Sequence, residues 1–68
     1  MTFGNQIRAA RKAAGLKQAE LAARCGLAQT AISSYERDVQ TPRLNVIEQL
    51  SVALHIPALD LLRAIVNG

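Results

Sequence analysis

Apolar residues recur along this chain at helical spacing, and the runs are divided by Gly15, Gly26, Pro42 and Pro57. The pattern predicts a first helix over about Phe3–Ala14, with Phe3, Ile7, Ala10 and Ala14 on one stripe. Gly15 ends it, because a residue without Cβ enters the left-handed region of a helix C-cap at little cost. A second helix covers Gln18–Cys25, with Leu21, Ala22 and Cys25 inward and Gly26 as its stop. A third covers about Gln29–Arg37, with Ile32 and Tyr35 inward and a polar outer face. Asp38–Thr41 reads as a loop. Pro42 suits that loop or a helix start, where its missing N–H costs nothing. The fourth helix spans about Leu44–Leu54, on a wide face of Val46, Ile47, Leu50, Ala53 and Leu54. Pro57 introduces a fifth over about Ala58–Val66.

Composition sharpens this to an all-α expectation. Half of the 68 residues are hydrophobic, yet only Phe3 and Tyr35 are aromatic, and Ala and Leu dominate. A sheet would want more aromatic and β-branched side chains. Sixty-eight residues make one domain with a small core. The formal charge of +3 suits an acidic partner such as nucleic acid or a membrane surface. Cys25 is the single cysteine, so no intramolecular disulfide argues for secretion. The opening Met1-Thr2-Phe3-Gly4 lacks a signal-peptide pattern, and no apolar run approaches the roughly 20 residues that span a bilayer. A cytoplasmic protein is the simplest expectation.

An enzyme reading finds little inventory. The sequence shows no metal-ligand cluster, no Cys–His pair at plausible spacing and no glycine-rich phosphate loop, so no cofactor, metal or small-molecule ligand is expected. Cys25 falls on an apolar helix face and reads as a small core residue. His55, the one histidine, sits near the end of the fourth helix, where the dipole favours it.

The informative stretch is Gln18–Glu36, QAELAARCGLAQTAISSYE. Two short helices meeting steeply through a tight turn need a small residue where they touch, and Ala22 is small. The turn needs a residue tolerant of positive φ, and Gly26 follows four positions later. Leu27 and Ile32 then lock the second helix onto the first. With Ile7, Arg11, Gly15-Leu16, Gln18, Glu20-Leu21-Ala22, Gly26-Leu27, Ile32-Ser33, Tyr35-Glu36, Pro42, Leu50, Ala53-Leu54 and Leu59-Asp60-Leu61-Leu62, the chain resembles the Cro/C1-type (XRE) helix-turn-helix family over nearly its whole length. The resemblance implies a five-helix, lambda-repressor-like DNA-binding domain. Its helix-turn-helix would cover about residues 18–37, with the third helix entering the major groove. Phage repressors, restriction–modification controller proteins and antitoxins share the fold.

Three positions depart from the family. Lys17 stands where Ser or Thr usually caps the second helix in a box with Glu20, and Ala28 stands where Ser often caps the third. Each lost cap costs about 1 kcal/mol. Asp38 replaces a common Gly, so the turn after the third helix is expected to differ.

The resemblance also assigns site residues. Gln29, Thr30 and Ser34, with Ser33, occupy positions that reach base edges; Gln can pair with adenine, and Thr can meet a thymine methyl. Lys17, Gln18, Arg37 and Arg43 are expected at phosphate or the minor groove, Gln18 because a helix start attracts anions. Arg11 and Glu36 imply an ion pair between the first and third helices, with a direct phosphate contact by Arg11 as the alternative. On the fifth helix, Leu59, Leu62 and Val66 share one stripe and are expected inward. Leu61 and Ile65 then form a second stripe, expected to centre a homodimer interface; the alternatives are a frayed chain end or a rotated fifth helix that brings Leu61 into the core. The implied activity is a dimeric transcriptional repressor or controller on a palindromic double-stranded DNA operator. The alternatives are an antitoxin-type protein-interaction module or the DNA-binding fragment of a longer repressor.

Overall fold

A computed structural model describes residues 1–67. Five helices follow one another: α1 (Phe3–Ala13), α2 (Gln18–Arg24), α3 (Gln29–Glu36), α4 (Leu44–Leu54) and α5 (Ala58–Asn67). No strand occurs among the described residues, and no helix is long and apolar enough to cross a membrane. The helix-forming segments agree with the periodicity to within a residue at each end. Helix α2 packs on α3, α4 packs on α5, and α1 touches α3, α4 and α5.

Each helix sends one large aliphatic side chain to the centre. Ile7, Leu21, Ile32, Leu50 and Leu61 are the largest fully buried side chains, one from each of α1 to α5. Removing such a side chain from water contributes about 1.5–3 kcal/mol apiece. Phe3, Leu16, Ala22, Cys25, Tyr35, Ile47 and Leu54 complete the buried core. With so few large residues, every helix depends on the others for its apolar cover.

The first four helices stop in the same way. Just past each helix end one residue lies in the left-handed region: Gly15 (φ 72°), Gly26 (φ 66°) and Asp38 (φ 57°) two positions on, and His55 (φ 57°) one position on. The following amide then donates back to a carbonyl five residues earlier: Leu16 to Arg11, Leu27 to Ala22, Val39 to Ser34 and Ile56 to Ser51. This is the Schellman arrangement, which satisfies carbonyls that a helix end leaves free. At three of the four ends it also returns an apolar residue toward the core: Leu16 is buried, and Leu27 and Ile56 are half-buried, whereas Val39 after α3 stays exposed. His55 is thus the left-handed residue that closes α4.

Two sequence expectations about the core are corrected. Ala14, placed on the inner stripe of α1, is exposed, because the helix has already ended at Ala13 and Leu16 fills the space instead. The buried edge of α5 is also rotated from the expected one, although Leu62, expected inward, does pack half-buried against the core. Leu61, expected at a dimer interface, is 0% exposed inside the monomer, and Ile65 packs half-buried beside it. Leu59 and Val66, expected inward, are 57% and 81% exposed. The reason is that α5 packs on both α1 and α4, and the Leu61 edge is the one that faces their junction.

Helices α1 and α3 approach closely at Gly4. A Cβ at Gly4 would lie 2.5 Å from the Glu36 carbonyl oxygen and 2.6 Å from that of Tyr35. Both are backbone atoms that cannot swing away. Gly4→Ala gains at most about 1 kcal/mol of helix propensity, whereas overpacking costs about 1–3 kcal/mol. Net destabilisation is expected in urea denaturation; an unchanged or raised midpoint would show that α1 and α3 do not meet there.

Candidate nucleic-acid interface

Helix α3 packs on α2 and α1 with Ile32 and Tyr35 buried, which leaves its other side outward. Gln29 and Thr30, in its first turn, are exposed, and Ser33 and Ser34 are half-buried at its polar margin. Ala28 precedes the helix with an extended backbone and makes no side-chain cap, so its methyl is exposed beside Gln29. Arg37 follows the helix. Its Nε donates to the Ser33 carbonyl at 3.3 Å, which steadies the base of the guanidinium while the residue stays exposed. At eight residues, α3 is about 12 Å long.

The orientation of α3 depends on a buried charged network. Arg11 Nε donates to Glu36 Oε2 at 2.6 Å, and Arg11 Nη2 donates to Glu36 Oε1 at 3.0 Å. Arg11 Nη1 also donates to the Leu16 carbonyl at 2.9 Å. Gln18 Nε2 adds a third bond to the carboxylate, 3.1 Å from Oε1. The Arg11 and Glu36 side chains are 10% and 3% exposed, so the pair is desolvated but hydrogen-bonded from several sides. Burial by itself raises the Glu36 carboxyl. The bonds from Arg11 and Gln18, with the charges of Arg11 and Arg8, outweigh burial and hold it below the ordinary carboxylate value. The bond to Glu36 likewise raises Arg11 against the opposing effect of burial.

The candidate residues thus fall into separate groups. Gln29, Thr30, Ser33 and Ser34 share α3. Lys17 is exposed just before α2, with an extended backbone and no side-chain cap; its amide donates to Glu20 Oε1 at 2.9 Å, one half of a capping box. The side chain of Gln18 turns toward Glu36, not outward. Arg43 is exposed before α4 and lines an open groove with Tyr35, Gln40, Thr41 and Asn45. Burial pushes the Cys25 thiol up, which suits a core residue rather than a reactive one. No group of three or more potential metal ligands occurs among the described residues.

Sequence reasoning missed one contact that bears on this face. Asp38 Oδ1 accepts from the Gly4 amide at 2.9 Å, and Asp38 Oδ2 accepts from the Thr2 hydroxyl at 2.7 Å. The Thr2 hydroxyl in turn accepts from the Asn5 amide at 3.1 Å, which caps α1. Asp38 therefore closes α3 with its backbone and the start of α1 with its side chain. The helical Gly4 and the Thr2 cap were local signals of a close approach here.

This is the architecture of a helix-turn-helix domain: α2 and α3 joined by a turn at Gly26, packed against three further helices. The Helix-turn-helix family model matches residues 7–61, most of the chain. The chain belongs to the Cro/C1-type helix-turn-helix family. It is similar to the solution structure of the DNA-binding domain (1–76) of the P22 C2 repressor, at 35% identity and a TM-score of 0.86. That likeness covers 91% of this chain and 82% of the other. No curated protein sequence shows significant similarity to the chain.

Glu36→Ala would strand the Arg11 charge in the interior, at an expected loss of about 3–5 kcal/mol in denaturant melts. In a cycle with Arg11→Ala, the double variant should lose less than the sum of the two singles. Because the folded-state pKa of Glu36 is depressed, its stabilisation is complete above the unfolded-state value and is lost as pH falls through the folded one. Glu36→Gln should therefore flatten the acid limb of the stability–pH curve. Additive mutations, or an unchanged acid limb, would contradict this role.

Proposed function

We propose that this chain is a sequence-specific, double-stranded DNA-binding transcription regulator, acting as a dimeric repressor or controller on a palindromic operator. The observation that carries the reading is the exposed polar face of α3, set by buried contacts on its other side in a domain similar to that of a phage repressor. In this reading α3 enters the major groove and Gln29 pairs with a base edge, adenine being the best match to its amide. Thr30, Ser33 and Ser34 add short polar contacts. Lys17, Arg37 and Arg43 neutralise phosphates, and Arg43 does so with Gln40, Thr41 and Asn45 along their shared groove. Gln18 acts chiefly by bracing Glu36. The expected compartment is the cytoplasm.

Size favours a homodimer. The domain is 27 Å in its longest dimension and presents one α3. Successive major-groove faces on one side of DNA are about 34 Å apart, so reading two half-sites takes two copies. With Leu61 in the monomer core, the interface proposed here moves to the exposed Leu59 and Val66 of α5, with half-buried Leu62 and Ile65 at its edge.

Gln29→Ala should weaken binding to the preferred site by about 1–3 kcal/mol and relax one base position, read by titration against single-base variants. An unchanged preference would place a different residue at that base. Leu59→Glu with Val66→Lys should convert a dimer to a folded monomer in sedimentation equilibrium. A double variant that still dimerises would exclude this face.

A further inference from the structure

Arg8 is an exposed arginine on α1 that makes no salt bridge among the described residues. Its place on the molecule follows from its neighbours on the helix. Gly4, one turn earlier, touches the last carbonyls of α3, and Arg11, one turn later, grips Glu36 at the end of α3. Arg8 lies between them in sequence, on the flank that abuts the end of α3, and its charge is felt at the Glu36 carboxylate. Both carboxylates at that junction are committed elsewhere. Glu36 is held by Arg11 and Gln18, and Asp38 by Thr2 and Gly4. Arg11–Glu36 is the only ion pair among the described residues. Exposed Arg37 stands at the same end of α3, so this corner carries two guanidinium groups with no carboxylate partner among the described residues.

We propose that Arg8 binds a DNA backbone phosphate beside the groove that α3 enters, extending the interface from the helix-turn-helix onto α1. The inference rests on the DNA-binding reading above. A phosphate there supplies the anion that the protein withholds from Arg8, and a guanidinium can grip two of its oxygens. The contact is blind to sequence, because phosphate carries no base identity. A different role for Arg8 would be to lower the Glu36 carboxyl alone, which would affect stability but not the number of counterions released.

Fluorescence-anisotropy titrations over a range of salt concentrations separate these roles. The probe is a mixed-sequence duplex long enough for two half-sites. The proteins are the parent, Arg8→Ala, Arg8→Lys, Lys17→Ala and, as a control at the exposed last turn of α2 beside α4, Arg24→Ala. One lost phosphate contact makes the slope of log K against log salt shallower by about 0.9 per protomer. Arg8→Ala is expected to show that change, Arg8→Lys to keep most of the parent slope, and Arg24→Ala to keep all of it. A flattened slope for Lys17→Ala with a parental slope for Arg8→Ala would overturn the Arg8 contact and leave the DNA-binding reading standing. A parent without salt-dependent binding would overturn both. Thermal melts of each variant identify any slope change caused by unfolding.

Discussion

The bidentate contact between Arg11 and Glu36 is the constraint on which the arrangement of the helices depends. It joins α1 to the last residue of α3, and Arg11 also holds the Leu16 carbonyl just beyond α1. Gln18 brings the first residue of α2 to the same carboxylate. Three helices therefore converge on one buried negative charge. A pair of this kind adds little net stability over an apolar substitute, since both charges must be stripped of water. What it supplies here is geometry. A planar guanidinium and a planar carboxylate meet well in few orientations, so the rotation of α3 about its axis is restricted. That rotation decides which side chains face outward.

Around this pair, small residues set how near the helices come. Gly4 lets α1 touch the carbonyls of Tyr35 and Glu36, and Ala22, 2% exposed, lies at the contact of α2 with α3. Asp38 then spans the same junction from the other end, with a left-handed backbone that closes α3 and a carboxylate that meets the start of α1. A glycine at that position would adopt the backbone more readily but could not make the second contact. The departure from the family pattern at residue 38 is thus matched by Thr2 and Gly4. Lys17 and Ala28 are different: each leaves a helix start without a side-chain cap, and each is exposed beside the outward face of the motif.

Much of the fold was legible because its signals are local. Gly15 and Gly26 mark the left-handed ends of α1 and α2, and apolar residues three and four apart line the buried faces of α1 to α4; the left-handed ends at Asp38 and His55 carry no such marker. Helix α5 was legible as a helix but not in its rotation. Leu59, Leu61, Leu62, Ala64, Ile65 and Val66 surround most of its circumference, so periodicity could not choose which edge is buried. The choice belongs to α1 and α4, which accept Leu61. The Asp38 contacts were hidden for a similar reason: their partners lie 34 and 36 residues away in the chain. At the candidate interface, the outward position of Gln29 and Thr30 follows from the inward position of Ile32 and Tyr35 one turn on. The inward turn of Gln18 does not, because it depends on where Glu36 comes to rest.

The central claim is that the outer face of α3, fixed from behind, reads a DNA sequence. Selection from a pool of randomised duplexes, followed by sequencing of the retained molecules, tests it most directly. The account predicts enrichment of an inverted repeat whose half-sites are centred about 10 base pairs apart, one helical turn. A retained pool with the same base composition as the input would contradict it.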